Sequence, residues 1–126
     1  MLSEETNNFL MNSSVGIHAV SAKGIIVYAN QYELDMLGYT EEEYVGQPTS
    51  KFQLDEIVLN DMMNRLGNFE TLKNYPARVQ GKNEIKYILY NSSVYHLDDR
   101  FIHTRCYGID LDKKTFLAFK KSSPYA

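Results

Sequence analysis

Three histidines and one cysteine carry the most recognisable chemistry in this chain: His18, His96, His103 and Cys106. Such residues can ligate a metal or pair a thiol with an imidazole. Their spacing favours neither. None shows the close pairing of a zinc site. His103 and Arg105 project to one face of a strand, and Thr104 and Cys106 project to the other. A Cys-His catalytic pair needs side chains that meet, which adjacent strand faces do not provide directly. The simpler expectation is that one pair faces solvent or a partner and the other packs inside. No metal site and no catalytic residue is predicted. The catalytic alternative is a small α+β enzyme using His18 or His103 as a base. A single cysteine rules out an internal disulfide and fits a reducing compartment.

Polar residues inside strand-like segments are the second signal: Asn91, Ser92, Ser93 and Thr104. Asn seldom occupies a strand centre without a hydrogen-bond reason. Asn91 or Ser93 either orients a ligand between a sheet and the helix at 54–66, or bonds neighbouring backbone. The sequence leaves both open.

The 126 residues suffice for one domain, and 44% hydrophobic with 23% charged is ordinary globular composition. Net charge is −3, and basic residues pair only at Lys113-Lys114 and Lys120-Lys121. That is no dense basic face, so nucleic acid is not an expected partner. No apolar run approaches the roughly 20 residues needed to span a bilayer. The opening MLSEETNNFL is acidic where a signal peptide needs a basic flank. The expectation is a soluble, cytoplasmic chain without direct membrane contact. Ten tyrosines and no tryptophan suit half-buried sheet surfaces and interfaces.

Residues 3–11 read as a helix capped by Ser3, with Glu4 and Glu5 in its first turn. Residues 15–20 and 25–29 read as a hairpin turning at Ser21–Gly24. Residues 30–37 have helical spacing, and Gly38 ends them. Thr40 and Glu43 have the form of a capping box. Residues 54–66 make the strongest helix, with a stripe of Ile57, Val58, Met62 and Leu66 beside Leu59 and Met63. Strands follow at about 69–79, 84–95 and 100–109, the last two joined by a tight turn at His96–Asp99. A helix begins near Lys113, capped by Asp110 or Asp112. Two strands, several short helices and three strands predict an α+β domain with helices on one face of an antiparallel sheet. The other face needs a covering helix or a second subunit.

Local residues go further. Gly24-Ile25-Ile26-x-Tyr28-x-Asn30 resembles the first hairpin of a PAS domain. Leu37-Gly38-Tyr39-Thr40 and Glu43-Tyr44-Val45-Gly46 resemble its helix junctions, and GIDLDKK at 108–114 resembles its exit motif. FIHTRCYGID is most similar to PAS domains of bacterial multi-domain sensor histidine kinases. The resemblance covers about 15–114. It implies a five-stranded sheet in order 2-1-5-4-3, flanked by a helix at 1–14 and an exit segment at 115–126. It also implies a sensory, signal-transduction role without catalysis by the domain itself. The parent could be a histidine kinase, and the output domain of that parent would be a partner.

By this resemblance, an interior pocket should gather Ile26, Tyr28, Met36, Leu37, Met62, Met63, Leu66, Asn91, Ser93 and Thr104. Light-sensing relatives carry a Cys where this chain has Thr49, and a hydroxyl is a poor nucleophile beside a thiol. Haem-binding relatives use a His on the long helix, and 54–66 contain none. Met62 and Met63 at helical spacing read as core. Neither haem nor a photoactive flavin is expected, no cofactor is predicted, and a small organic ligand in an apolar cavity stays open. A homodimer through the N-terminal helix and outer sheet face is expected, with Asp110 as the hinge of the exit helix. The alternative is a ligand-free interaction module of the same fold.

Overall fold

The computed structural model describes residues 3–122. Its helices begin where the local chemistry supplies an acceptor. Helix α1 (Glu4–Met11) starts at Ser3, whose hydroxyl accepts the Thr6 N–H at 3.1 Å. Helix α2 (Gln31–Leu37) starts at Asn30 and stops at Gly38, whose φ of 84° suits a residue lacking Cβ. Helix α3 (Glu41–Tyr44) carries the Thr40–Glu43 capping box. A 3-10 turn at Thr49–Lys51 leads to helix α4 (Glu56–Gly67). Asp55 precedes α4 without capping it, because Arg78 takes both its carboxylate oxygens at 2.9 and 3.0 Å. Helix α5 (Lys113–Ser122) begins at Asp112, which accepts the Thr115 N–H at 2.7 Å. The exit-helix cap is therefore Asp112, while Asp110 lies within a strand opposite Ile88.

The strands are β1 (Gly16–Val20), β2 (Ile26–Ala29), β3 (Leu72–Gln80), β4 (Ile85–Leu97) and β5 (Arg100–Leu111). They form one antiparallel sheet in the order β2-β1-β5-β4-β3. This is the α+β arrangement expected from the sequence. Register then fixes who meets whom. His18 lies opposite Cys106, and Cys106 lies opposite Ser92 on its other side. Three polar side chains thus stand in one row across β1, β5 and β4.

Period two sorts the sheet into two faces. His18, Val20, Tyr90, Ser92, Thr104 and Cys106 are buried beneath the helices. Arg105, Tyr107 and Ile109 alternate with them and are exposed. One register shift breaks the pattern. Ala19 pairs with Tyr28 and Val20 with Ile26, so Val27 is an extra residue in a bulge. Tyr28 therefore shares the outer side with Ala19, although Ile26 is only 1% exposed.

One apolar expectation changes here. Ile57, placed in the buried stripe of the long helix, is 84% exposed, while Val58, Met62 and Leu66 are buried and Met63 packs beside them against the core. Phe116 of α5 is 1% exposed and packs on Tyr87 with ring centres 5.0 Å apart. Helix α5 lies over β3 and β4 and covers part of the outer face. Phe9 and Leu117 remain exposed.

Two truncations test this packing. Leu66→Ala should cost roughly 2–5 kcal/mol and Phe116→Ala roughly 3–5 kcal/mol, both read from urea unfolding. A near-neutral Phe116→Ala would mean that α5 is not docked in solution.

Candidate functional site

The interior is built around an ion pair. Strand β1 points His18 at the helices, and α2 brings Glu33 back to meet it. His18 Nδ1 lies 3.2 Å from Glu33 Oε2. The Tyr44 hydroxyl donates to the same oxygen at 2.6 Å. Glu33 is fully buried, and an ionised carboxylate there is tolerable only with an opposing charge and hydrogen bonds. Gly16 makes the room: a Cβ at that position would stand 2.5 Å from Glu33 Oε1. Burial pushes the Glu33 carboxyl up, but the charge and hydrogen bond of His18, with the Tyr44 hydroxyl, hold it below the usual range. Burial pushes His18 down, yet the charges of Cys106 and Glu33 lift it well above an ordinary imidazole. Burial and then the Glu33 charge raise Tyr44, which keeps its proton and remains a donor.

Cys106 closes the row on the other side. The Val20 N–H donates to Thr104 Oγ1 at 3.0 Å, and that hydroxyl is 3.2 Å from Cys106 Sγ. With its oxygen accepting from backbone, the Thr104 hydroxyl proton is free to point at sulfur. Burial raises the thiol, and the His18 charge with hydrogen bonds from His18, Ser92 and Thr104 more than reverses this. The result is a buried line of Glu33, His18 and Cys106. Tyr90 stands edge-on to His18 at 5.8 Å and shields it.

A cavity of about 30 Å³ opens beside this line. Of the residues expected in a pocket, Met62, Met63, Leu66 and Thr104 line it, together with His18 and Cys106. Ile26 lines a smaller gap of about 10 Å³ next to Tyr44 and Gln53. Leu37 is buried in the apolar core, and Met36 packs against that core. Three expected residues do not enter. Asn91 is exposed and accepts the Asn74 N–H at 3.1 Å, because Ser92 holds the inward place. Ser93 turns outward by the same alternation, opposite Arg105. The bulge at Val27 carries Tyr28 to an outer groove that Tyr95, Arg105 and Tyr107 also line. Thr49, the residue in the place of the light-sensing thiol, does line the inner cavity. Among the described residues no group of three His, Cys, Asp or Glu is arranged to hold a metal ion.

Sequence reasoning missed the line itself. It compared Cys106 with its strand neighbour His103, whereas the meeting partner is His18, a strand away. One signal was present: Glu33 and Leu37 are four residues apart in a short helix, so both belong to one face.

Glu33→Gln should therefore cost about 3–5 kcal/mol at neutral pH, since it leaves a buried imidazolium uncompensated. The Glu33 contribution is present above its unfolded value of 4.5 and is lost as pH falls through its lowered folded value. Urea midpoints should accordingly drop more steeply on acidification for the wild type than for the variant. In the variant, the His18 titration followed by NMR should move to lower pH.

A family model described as the PAS fold matches residues 4–105. No curated protein matches the sequence. Solved structures do. The PAS domain of an HTR-like protein from Haloarcula marismortui superposes with a TM-score of 0.72 at 18% identity, covering 85% of this chain and 95% of that one. A PAS domain from a two-component sensor histidine kinase gives 0.71 at 12%, covering 86% and 95%. The Rhodobacter sphaeroides LOV protein gives 0.73 at 20%, covering 87% and 67%. With residues 4–105 of its 126 matched by the family model and the sheet order that the resemblance implied, this chain belongs to the PAS-fold family.

Proposed function

We propose that this PAS domain is a signal-relay module that dimerises through α1 and the outer sheet face, and passes the state of its interior to the flanking helices. The observation that carries the reading is Asn30. It is fully buried, and every polar atom of its side chain is used. Its Oδ1 accepts the Ile17 N–H at 2.9 Å and the Glu33 N–H at 3.0 Å. Its Nδ2 donates to the Leu10 and Val15 carbonyls, each at 2.9 Å. One side chain therefore ties the end of α1, the start of β1 and the start of α2. Glu33 stands one turn along α2, so a change in the ion pair reaches α1 through the first turn of α2 and then the Asn30 hydrogen bonds.

The outer surface supports a partner. Phe9 is 77% exposed on α1, and Leu10, Ile17, Ala19, Tyr95 and Tyr107 line a groove of about 570 Å³ on the face that α5 leaves open. Apolar and tyrosine-rich surface of this kind suits a second copy of the chain. The inner cavity, at about 30 Å³, is far below the roughly 300–1,000 Å³ of an organic-ligand pocket. An interior ligand is thus either very small or enters by displacing Met62 and Met63. The same volume weighs against haem and flavin. Residues 15–114 form the sensory unit, and the flanks lead to the output domain of a parent signalling protein of the sensor histidine kinase type. That parent resides in the cytoplasm, and the domain itself catalyses nothing. Among the described residues no helix is long and apolar enough to cross a membrane.

Sedimentation tests the assembly. Wild-type chain should be dimeric at high micromolar concentration, and Phe9→Asp with Leu10→Asp should shift it toward monomer with the far-ultraviolet spectrum unchanged. A wild-type monomer under those conditions would remove dimerisation from this reading. Asn30→Ala should raise hydrogen exchange at Leu10–Val15 far more than at β4, since it leaves two carbonyls and two N–H groups without their partner.

A further inference from the structure

The groove on the outer sheet face is large enough for a ligand as well as for a partner. We propose that it binds a small organic acid, one carboxylate on an apolar body, with Arg105 as the group that holds the carboxylate. Three observations converge. The groove has a volume of about 570 Å³, within the roughly 300–1,000 Å³ of organic-ligand sites, whereas the inner cavity has about 30 Å³. Its floor is apolar and deep, since Ile17 and Ala19 of β1 line it and are each only 8% exposed. Its fixed charge has one sign. Arg105 supplies that charge, and none of the described residues that line the groove is acidic, in a chain of net charge −3.

Strand pairing holds the cation in place. Arg105 lies opposite Ser93, and His103 lies opposite Tyr95. Short Ser93 leaves room across the strand, and the guanidinium leans to the diagonal neighbour instead. It lies over the Tyr95 ring, 4.7 Å from the ring centre. Among the described residues no carboxylate pairs with it. A guanidinium resting on an aromatic ring keeps its N–H edge free, and that planar fork matches the two oxygens of a carboxylate.

His103 contributes shape rather than charge. Its Nδ1 lies 2.9 Å from the Thr104 carbonyl, so an N–H there is committed to backbone. The ring stands 5.3 Å from Tyr95 and gives the groove a second flat face. One arginine therefore sets one anionic group. The rest of the ligand has to be apolar, because burying Ile17, Ala19 and the Leu10 wall is the other source of affinity. A cationic ligand of the same size meets Arg105 and is repelled.

The site goes beyond the dimer reading, since a single chain forms it. One consequence does rest on that reading. Leu10, Ile17 and Tyr107 belong both to the groove and to the face assigned to a second copy. Acid and second copy then compete for the same space, and the acid regulates assembly from outside the sheet.

Isotope-labelled chain is titrated at fixed ionic strength with decanoate, decanol and decyltrimethylammonium, which share one alkyl chain and differ in charge. Decanoate should bind saturably, with amide shifts at Ile17, Ala19, Tyr95 and Arg105. Decanol should bind more weakly, and the ammonium most weakly. Arg105→Gln, at an exposed position, should weaken decanoate about tenfold or more and leave decanol unchanged. Tyr95→Leu should weaken decanoate less, because the guanidinium remains but loses its platform. The absence of saturable decanoate binding would overturn the proposal. Decanol binding as tightly as decanoate, or an Arg105→Gln variant that binds decanoate like the wild type, would overturn it too, since the groove would then be an apolar surface only. So would shifts centred on Met62 and Leu66 with none at Ile17 or Arg105, which would place the acid in the interior. Sedimentation separates the two readings. Saturating decanoate should move a wild-type dimer toward monomer. A dimer unmoved by bound decanoate would sink the competition and leave the site standing. A chain monomeric throughout would sink the dimer, and the titration would still decide the site.

Discussion

A carboxylate that never meets water sets the terms for the rest of this structure. Glu33 is fully buried, and its charge survives only because His18 stands 3.2 Å away and Tyr44 donates at 2.6 Å. Each of those contacts imposes a further requirement. His18 must lie on the inner face of β1, which fixes that strand's register against β5. Gly16 must lack a side chain, because the carboxylate occupies that space. Tyr44 must end a short helix close to α2, and the Thr40–Glu43 capping box starts that helix at the right place. A hydrophobic residue at position 33 would relieve all of these demands at once, and replacements of that kind are often neutral or stabilising elsewhere. The chain keeps the charge, which is expected of a core that does more than pack.

Asn30 gives that charge a mechanical reach. Most N-caps satisfy one orphan donor of their own helix. This one also closes the Ile17 N–H and two carbonyls from the segment that enters the sheet. The interior and the N-terminal helix are thus joined by hydrogen bonds that have no water to fall back on, so they shift together or break at a cost. The C-terminal helix is joined differently. Phe116 sits against Tyr87 on the outer face, an apolar contact that is insensitive to charge. The two flanks are therefore held by different contacts, α1 by hydrogen bonds to Asn30 and α5 by apolar packing on Tyr87.

Local chemistry was the legible part. Ser3, Asn30, Gly38 and Thr40 announced their helix boundaries because a cap is decided within four residues. The strand order followed from residues that resemble one family, and the opposite facing of His103 with Arg105 and of Thr104 with Cys106 followed from period two. What failed was whatever depends on a partner distant in sequence. A bulge at Val27 is a two-against-one mismatch with β1, and nothing in IIVYA marks it. It sent Tyr28 outside. Asn91 looked like a ligand-binding oddity, but a left-handed Asn74 with φ of 49° on β3 explains it: the Asn91 side chain accepts that residue's N–H. Ile57 fits an apolar helical stripe, yet α4 turns Val58, Met62, Met63 and Leu66 to the interior and leaves Ile57 on the side away from the sheet.

The two faces of the sheet also divide the chemistry between them. Inside, polar groups are few and gathered along the row of His18, Cys106 and Ser92. Outside, Arg105 lies over the Tyr95 ring at 4.7 Å, and tyrosines surround an open groove. Thr104, Arg105 and Cys106 are consecutive on β5, so the strand that carries the buried thiol also carries the outer cation. A residue displaced on one face moves its neighbour on the other, because strand backbone transmits a shift directly. Inner row and outer groove thus share β5, and Asn30 holds the carbonyl of Leu10, a residue of that groove.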